Sequence, residues 1–455
     1  MYLVSVIVPV YNTEIYVRQT ILSVIHQTIG FKQNIELILV NNATEDGAET
    51  ICKEYQKIYP ANIKYLFLDK NRGPSGARNV GLEAATGKYI NYLDSDDLWE
   101  EDALEILVDV LEKNSGWIEI AVGRLRHFDA RNEWHFLDWK FQVSDEKIVD
   151  IYKEPEYIHL HLGSALILSD AARRYSHDEE IYNAEDMQYF NKILFDVGKY
   201  ILCTRAVYLY RTRLSGNSAL QNAHKSIRWY MNTVQQVYQY FFDYSKEKYG
   251  YVIPYLQYLI MHELQWRIGK DIECDSVDEK WYRNAIAKLL RDIDDDIILN
   301  GKVLWKERKV YALCLKRQFS LGTDNAEKLF RGYFKVDEGL YLKAVQYFNG
   351  KLHIVGFLRH PYQIDGTLYL KCDSKETEVT CNGENNDSDV KGLGQLIAHG
   401  KTFFITNSIV GGKTCQFLLL ADGIRYPMRI NCFGNTLLDK EHLVLNDYEI
   451  IVHKS

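Results

Sequence analysis

Four acidic side chains follow an apolar run in the stretch GKYINYLDSDDLWE, residues 87–100, and they are Asp94, Asp96, Asp97 and Glu100. Like charges repel at short range, so carboxylates at the end of a buried strand need solvent, a cation or a positively charged ligand beside them. The stretch therefore predicts a site that needs one of these three, and the residues of the stretch alone leave open which one it is. The alternative is a helix start, with Asp96 or Asp97 as the cap of LWEEDALEIL.

The elements that must position this site alternate between strand and helix patterns as far as about residue 128. LVSVIVPV, IELILV, IKYLFL and KYINYL are β-branched runs bounded by turn residues, and helical spacing lies between them, as at Val17, Ile21 and Val24. This alternation predicts an α/β fold with a Rossmann-like, mostly parallel sheet. Ligands bind beyond the carboxyl ends of such strands. The residues predicted on that rim are Tyr11, Asn12, Asn41, Asn42, 69–72 and 94–97.

The patterns divide the chain into three predicted domains. Residues 1–215 carry the α/β pattern, and residues 216–325 form a helical accessory region with long amphipathic runs. Residues 326–455 contain short strands split by Gly, Asn and Asp turns, which predicts a β-sandwich-like domain.

Composition limits the classes of function. The chain has 455 residues, is 47% hydrophobic and 25% charged, and carries a formal net charge of -8, which argues against nucleic-acid binding. Its eight cysteines include no CxxC pair, no signal-peptide pattern precedes the first strand, and no apolar run is long enough to cross a bilayer. These features predict a cytoplasmic protein.

Four stretches together resemble glycosyltransferase family 2, the inverting nucleotide-sugar glycosyltransferases with the GT-A fold. They are VSVIVPVYNTEIYVRQTILSVIHQT, ELILVNNATEDG, NRGPSGARNVGLEAATGKYINYLDSDD and NAEDMQYF. The resemblance implies that Asp96 binds a divalent cation, Mn²⁺ or Mg²⁺, and that Asp94, with Ser95 beside it, contacts the nucleotide ribose. Such an ion stabilises the diphosphate that leaves when the glycosidic bond breaks. The acidic cluster would thus be neutralised by a cation together with the nucleotide.

The resemblance also implies nucleoside contacts at the first two loops. The residues that would line the nucleoside are Pro9, Tyr11, Asn12 and Glu14. The second loop has Asn41 and Asn42 where the family commonly has an acidic residue that recognises uracil. An amide is both donor and acceptor, so Asn42 suits uracil and also cytosine, which favours a UDP-sugar with a CDP-sugar as the alternative. The other interpretation is that both asparagines only shape a turn.

Basic residues in two segments correspond to the family's diphosphate contacts. Arg72 and Arg78 lie in the first, where a guanidinium can hold phosphate at two points, although surface arginines are commonly just solvated. The second, YRTRLSGNSAL, resembles the segment that closes over the diphosphate, and its candidates are Arg211, Arg213 and Ser218. It lacks the histidine ligand of many relatives, and His224 lies late. The pair His159 and His161 has no third ligand for zinc.

An inverting transfer needs a base that accepts the proton of the acceptor hydroxyl. AEDMQYF matches the family's catalytic ED pair, so the resemblance assigns Asp186 as the base, with Glu185 supporting it or binding the acceptor. Either acid could instead only stabilise a helix start.

Segments after residue 215 predict partners of the protein. Residues 301–319 read as a basic amphipathic helix, which predicts peripheral contact with the inner face of the membrane or packing on a neighbouring domain. We expect the C-terminal domain to support homo-oligomers.

The resemblance implies a glycan or lipid-linked glycan acceptor from a bacterial capsule or teichoic acid. The alternatives are a non-catalytic glycan-binding or assembly subunit and a nucleotidyltransferase; the latter class would place a glycine-rich, lysine-bearing loop where PVYNTEIY stands.

Overall fold

The computed structural model describes ten stretches of the chain: residues 2–213, 223–302, 304–335, 337–360, 366–381, 389–393, 395–408, 413–421, 423–438 and 443–453. The chain divides into two compact units, Met1–Ile260 with Glu273–Val277, and Met261–Ile272 with Asp278–Ser455. The predicted domain boundaries after residues 215 and 325 stay predictions. A search of the described residues for a helix with the length and apolar character of a membrane span finds none.

The first unit is built on a sheet that has nine strands among the described residues. They are β1 (Val4–Val10), β2 (Ile35–Asn41), β3 (Ile63–Phe67), β4 (Tyr89–Tyr92), β5 (Leu98–Trp99), β6 (Ile120–Asp129), β7 (Glu146–Asp150), β8 (Ala165–Leu168) and β9 (Lys199–Thr212). Their order is β3-β2-β1-β4-β8-β6-β9-β5, and β7 pairs with β9. The first four strands of this order are parallel, and β8 joins β4 and β6 through antiparallel pairs. The predicted α/β fold class is confirmed.

The helices of this unit follow the predicted amphipathic patterns. They are α1 (Glu14–Ile25), α2 (Phe31–Asn34), α3 (Ala48–Ile58), α4 (Gly73–Ala84), α5 (Ala103–Lys113), α6 (Ser169–Ala172) and α7 (Glu185–Val197), followed by Ile227–Tyr230, the π-helix Thr233–Gln239 and Tyr240–Tyr249. The helix Pro254–Ile268 belongs to this unit as far as Ile260. Val17, Ile21 and Val24 of α1 are fully buried against the sheet, as their spacing predicts. A Cβ atom at Gly81 would lie 2.3 Å from Cγ2 of Ile7, so only glycine lets α4 approach β1 this closely.

The second unit combines helices with two β-sheets. Its helices are Glu279–Arg291, Asp295–Asn300, Lys306–Lys316 and Asp324–Tyr333. One sheet contains β10 (Leu340–Phe348), β11 (Lys351–His360), β14 (Val390–Gly392), β15 (Gln395–Ser408) and β18 (Ile430–Leu438). The other contains β12 (Gly366–Cys372), β13 (Lys375–Val379), β16 (Lys413–Ala421), β17 (Ile424–Pro427), β19 (Leu443–Leu445) and β20 (Glu449–Val452). Residues of both sheets share one hydrophobic core, as in the predicted sandwich.

Two contacts of the second unit bear on the sequence predictions. Glu307, in the predicted basic helix, accepts a hydrogen bond from the Arg359 guanidinium at 3.0 Å, and both side chains are fully buried. The same helix buries Val310 and Leu313, so it packs within its own unit, while membrane contact stays a prediction. Cys372 and Cys415 lie opposite each other on β12 and β16 and form a disulfide.

Candidate active site

The acidic turn that follows β4 is held in place by α1. Residues 94–97 connect the end of β4 to β5, and the Thr13 hydroxyl donates to Oγ of Ser95 at 3.0 Å. Oγ1 of Thr20, a fully buried residue, lies 3.0 Å from the Ser95 carbonyl oxygen and 2.9 Å from that of Asp97. The turn conformation therefore depends on two threonines that lie about eighty residues away in the sequence.

Asp97 has a structural role in the acidic turn. Its side chain is buried and accepts hydrogen bonds from the Tyr208 hydroxyl at 2.8 Å and from the Arg211 backbone N–H at 2.7 Å. Burial and the charges of Asp96 and Asp94 raise the pKa of Asp97 well above its usual range. Asp97 thus fixes β9 to the turn.

Asp94 and Asp96 are more accessible, with 35% and 20% of their side chains exposed. Asp94 Oδ1 accepts a hydrogen bond from Nη2 of Arg78 at 2.9 Å. Asp96 Oδ2 accepts two from Arg213, at 2.9 Å from Nε and 2.6 Å from Nη2. Burial raises the pKa of Asp96, although Arg213 acts in the opposite direction. Both carboxylates are therefore matched with cations inside the protein.

Arg78 joins the acidic turn to the start of α7. Its buried guanidinium contacts Asp94 through Nη2 and Oε1 of Glu185 through Nη1, the latter at 3.0 Å. Burial acts to lower the pKa of Arg78, but Asp94, Glu185 and Asp186 together raise it above its ordinary value, so the group is charged. Arg78 and Glu185, predicted in separate roles, meet here.

Asp186 lies beside that bridge. Glu185 and Asp186 are the first two residues of α7, and Ala184 before them has a φ of 64°, in the left-handed region that a non-glycine residue rarely adopts. Asp186 Oδ1 accepts from the Met187 backbone N–H at 2.7 Å. Burial and the charge of Glu185, opposed by Arg78, raise the pKa of Asp186 to about 7. A carboxyl group that titrates near neutral pH is suited to act as a general base.

In the part of the chain that the structure describes, one group of side chains could hold a metal ion. Ligand atoms of Asp94, Asp97 and His161 all lie within 4.8 Å of one another. Nδ1 of His161 accepts a hydrogen bond from the Ser164 backbone N–H at 3.0 Å, and burial lowers the pKa of His161 to about 4. A neutral imidazole that accepts at Nδ1 carries its proton on Nε2, whereas a metal-bound imidazole normally donates from its other nitrogen. The carboxylates therefore fit a hard cation better than His161 does.

The predicted nucleoside loops contact each other extensively. Asn12, at a φ of 51°, accepts at Oδ1 from the Glu45 backbone N–H at 3.0 Å, and Glu14 Oε2 accepts from the Gly47 N–H at 3.0 Å. Pro9 belongs to β1, and the ring of Tyr11 is exposed at its end. The loops form a rigid rim with an accessible aromatic ring.

Both predicted base-recognition asparagines bind the protein itself. Asn42 donates through Nδ2 to Asn71 Oδ1 at 2.9 Å and to the Gly73 carbonyl oxygen at 3.0 Å. Its Oδ1 accepts from the Arg72 backbone N–H at 2.9 Å. Asn41 donates to the Tyr65 hydroxyl at 2.8 Å. Both amide hydrogens of Asn42 are engaged, so only Oδ1 has capacity for a base.

The other predicted phosphate contacts are also engaged inside the protein. The buried Arg211 side chain donates to the Asp96 carbonyl oxygen at 2.7 Å and to Gln19 Oε1 at 2.6 Å, and it lies 3.2 Å from Asp129. Arg72 pairs with Glu179 through two hydrogen bonds. Ser218 lies outside the described residues. The phosphate roles of all these residues stay predictions.

The sequence predicted His159 and His161 only as a metal pair without a third ligand, and it did not single out Tyr210, whose ring the fold places beside that of His161. His159 is buried and bonds to Lys140 and to the His161 carbonyl oxygen, while His161 lies at the acidic turn. The Tyr210 ring lies 5.8 Å from that of His161. Burial and nearby carboxylates, Asp97 first, raise the pKa of Tyr210, so its phenol stays protonated. The alternation of Tyr208 and Tyr210 in AVYLYRT could have placed both on the face that meets the turn.

Comparison with known proteins gives a family and two relatives. The model of glycosyl transferase family 2 matches residues 5–175. The chain is similar to two minor teichoic acid biosynthesis proteins of Bacillus subtilis. It is 34% identical to GgaB over 410 residues, which covers 86% of this chain and 45% of GgaB. It is 30% identical to GgaA over 339 residues, which covers 71% of this chain and 73% of GgaA. The chain thus spans less than half the length of GgaB.

Solved structures show a related fold. S. aureus TarS matches with a TM-score of 0.56 at 13% identity and covers 99% of this chain and 85% of TarS. The TarS 1-349 fragment in complex with UDP-GlcNAc matches with a TM-score of 0.54 at 15% identity, covering 77% of this chain and 96% of the fragment. At these identities the likeness shows the fold alone.

The contact between α1 and the acidic turn can be tested with Thr20→Val, which keeps the shape of the side chain but removes its hydroxyl. The Ser95 and Asp97 carbonyls then lose a buried donor, and we expect unfolding to become easier by about 1–3 kcal/mol. Urea denaturation measures the change, and Thr20→Ser, which keeps the hydroxyl, should be the less affected variant. A Thr20→Val protein as stable as the parent would contradict this account of the turn.

Proposed function

The chain belongs to glycosyl transferase family 2, and we propose that it transfers a sugar, with inversion, from a UDP-sugar to a hydroxyl group of a teichoic-acid-type surface polysaccharide. One observation carries the proposal. The Arg78 guanidinium binds Asp94 of the acidic turn and Glu185 beside Asp186, so a candidate donor site and a candidate base share one cation. The similarity to GgaB and GgaA, two minor teichoic acid biosynthesis proteins, supports the polymer class.

Asp186 is the proposed general base. In a single displacement, the acceptor hydroxyl oxygen forms a bond to the anomeric carbon as the bond from that carbon to the diphosphate oxygen breaks. The proton of the hydroxyl passes to Asp186, and the electron pair of the broken bond stays on the departing nucleotide. A base with a pKa of about 7 is roughly half ionised at neutral pH and is more basic than an ordinary carboxylate, so it can take this proton.

Glu185 and Arg78 set the charge around that base. The negative charge of Glu185 raises the pKa of Asp186, and the positive charge of Arg78 lowers it. Because Arg78 also binds Asp94, it keeps that carboxylate oriented at the end of β4. We assign both as positioning residues, since each acts through another group.

A divalent cation, Mn²⁺ or Mg²⁺, is proposed at the acidic turn. The donor set fits, because carboxylate oxygens are the ligands these ions prefer and the partly exposed Asp94 and Asp96 lie in the same turn. We keep Asp96 as a proposed ligand, which would then share its carboxylate between the ion and Arg213. When bound, such an ion would stabilise the negative charge of the leaving diphosphate.

The nucleotide is proposed to lie at the carboxyl ends of β1 and β2, against Pro9, Tyr11, Asn12 and Glu14. The exposed Tyr11 ring supports stacking on the base, and Oδ1 of Asn42 can accept the imide hydrogen of uracil. Cytosine lacks that hydrogen, which favours UDP over CDP. The complexes of the TarS fragment with UDP and UDP-GlcNAc make these the first ligands to try.

Donor binding is tested by thermal shift with UDP and UDP-GlcNAc, each with and without Mn²⁺. We expect stabilisation of the parent that grows when Mn²⁺ is added, because ligands that bind the folded state raise its melting temperature. Asp96→Ala should lose the Mn²⁺-dependent part, whereas Asp109→Ala, at an exposed aspartate of α5, should keep it. No shift with any nucleotide would overturn the donor assignment.

The base is tested with Asp186→Asn. The amide has nearly the same shape but cannot accept the proton, so we expect transfer to fall at least about a hundredfold, the size of a lost general-base contribution. UDP-induced stabilisation should survive. Asp196→Asn, at the other end of α7, is the matched control and should transfer normally. Turnover that persists in Asp186→Asn would count decisively against this base.

The pH dependence follows from the raised pKa of Asp186. The base works when deprotonated, so kcat/KM should rise with pH, reach half of its maximum near pH 7 and level off above that pH. Glu185→Gln removes the adjacent negative charge, lowers the pKa of Asp186 and should move this rise to lower pH. UDP release from UDP-GlcNAc, followed from pH 5 to 9, measures both profiles. A rise that keeps its position in Glu185→Gln would contradict the coupling.

A further inference from the structure

Two large aromatic side chains lie exposed just beyond β6. Trp134 and Phe136 keep 39% and 45% of their surfaces accessible, although both are apolar enough to be buried. Their segment is anchored, because the His127 backbone N–H donates to Glu133 at 2.8 Å and the His135 N–H donates to Leu125 at 3.0 Å. An ordered, exposed aromatic patch marks an interaction site more often than a loose end of chain.

The Trp134 ring is held rigidly on one side. The Arg124 guanidinium lies 3.7 Å from the ring centroid, and its two hydrogen bonds to Asp138, at 2.8 and 2.7 Å, fix it there. A ring that is already ordered loses little conformational freedom when a ligand packs on its remaining surface. Trp134 is therefore preorganised for contact.

A continuous row of rings links this patch to the acidic turn. Ring centroids lie 4.0 Å apart for Phe136 and His135, 5.9 Å for His135 and His127, 5.4 Å for His127 and Tyr210, and 5.8 Å for Tyr210 and His161. His161 contributes to the group that contains Asp94 and Asp97. We call these five rings, with Trp134 beside them, the aromatic row.

We propose that the aromatic row is an acceptor subsite that binds successive pyranose rings of the glycan chain being extended or decorated. A pyranose has an apolar face of C–H groups and a rim of hydroxyls. Aromatic faces bury the first by dispersion and hydrophobic contact. Nε2 of His127, whose Nδ1 is already paired with the Thr212 hydroxyl, and the Tyr210 phenol offer hydrogen bonds to the second. This inference rests on the proposed function, since it names the acceptor side of the same site.

The sheet order assigns the row to the acceptor rather than the nucleotide. The strand order is β3-β2-β1-β4-β8-β6-β9-β5. The nucleoside loops follow β1 and β2, whereas the row lies on β6 and β9 and the segments beside them. The strand β4, with its acidic turn, lies between these two sets. A donor bound at the first set therefore leaves the second open. The row extends over four ring-to-ring steps, which is longer than a single pyranose and fits a chain.

Purified teichoic acid from Bacillus subtilis, the organism of the two relatives, is the probe. Affinity electrophoresis of the full chain through gels that contain this polymer measures binding, and thermal shift with UDP measures the donor side separately. We expect Trp134→Ala and Phe136→Ala to bind the polymer roughly tenfold more weakly, a loss of about 1.4 kcal/mol. Trp134→Phe, which keeps a ring, should bind nearly as the parent does.

The matched control is Trp117→Ala, which removes an exposed tryptophan that follows α5 and lies outside the row. It should bind the polymer as the parent does, and every variant should keep the parent's UDP shift. A parent that does not bind the polymer, or equal binding by the parent and both alanine variants, overturns the proposal. Unchanged polymer binding with a change of mass in light scattering would instead make the row a contact between copies. A parent without a UDP shift would count against the proposed function, whatever the polymer result.

Discussion

The candidate site of the first unit depends on one buried cation, the Arg78 guanidinium, which lies among several carboxylates. Arg78 has left water, and its charge is compatible with burial only because Asp94 and Glu185 both bind it. Removal of Asp94 or Glu185 would leave part of the positive charge of Arg78 uncompensated. Removal of Arg78 would leave the Asp94 and Glu185 carboxylates without their shared cation. The guanidinium therefore ties the end of β4 to the start of α7, two elements that are far apart in the sequence. The geometry of the candidate site depends on this bridge.

Asp97 and Asp186, unlike Asp94 and Asp96, have no guanidinium as a side-chain hydrogen-bond partner among the described residues. Asp97 and Asp186 receive their described hydrogen bonds from uncharged groups, a phenol and backbone amides. Burial then dominates, and the pKa of each is raised. The two shifts have different uses. Asp97 is enclosed and fixes β9, whereas Asp186, at a strained helix start, titrates near pH 7. One electrostatic condition thus produces a structural acid and a candidate base.

The sequence was sufficient to predict the α/β class and the rim, because β-branched runs and the polar residues after them follow local rules. It could not predict how the rim side chains would pair. Asn42 and Arg211 look like ligand contacts in the sequence, yet their donors are engaged by residues of other loops and strands. His161 approaches the acidic turn only because β8 lies beside β4. Such contacts depend on tertiary approach, which spacing along a chain does not encode.

The same bridge couples the two halves of the site. Asp94 contributes to the raised pKa of Asp186 through its charge, while Arg78, which touches Asp94, lowers that pKa. A positive charge that neutralises Asp94 removes the contribution of Asp94 to the raised pKa of Asp186. The charge of Arg78 then acts more strongly on Glu185 and Asp186. Both changes favour the ionised form of Asp186. An occupied acidic turn therefore lowers the pKa of Asp186 and raises its ionised fraction, and an empty turn keeps more of it protonated. A cation at the acidic turn would thus shift Asp186 toward its ionised form.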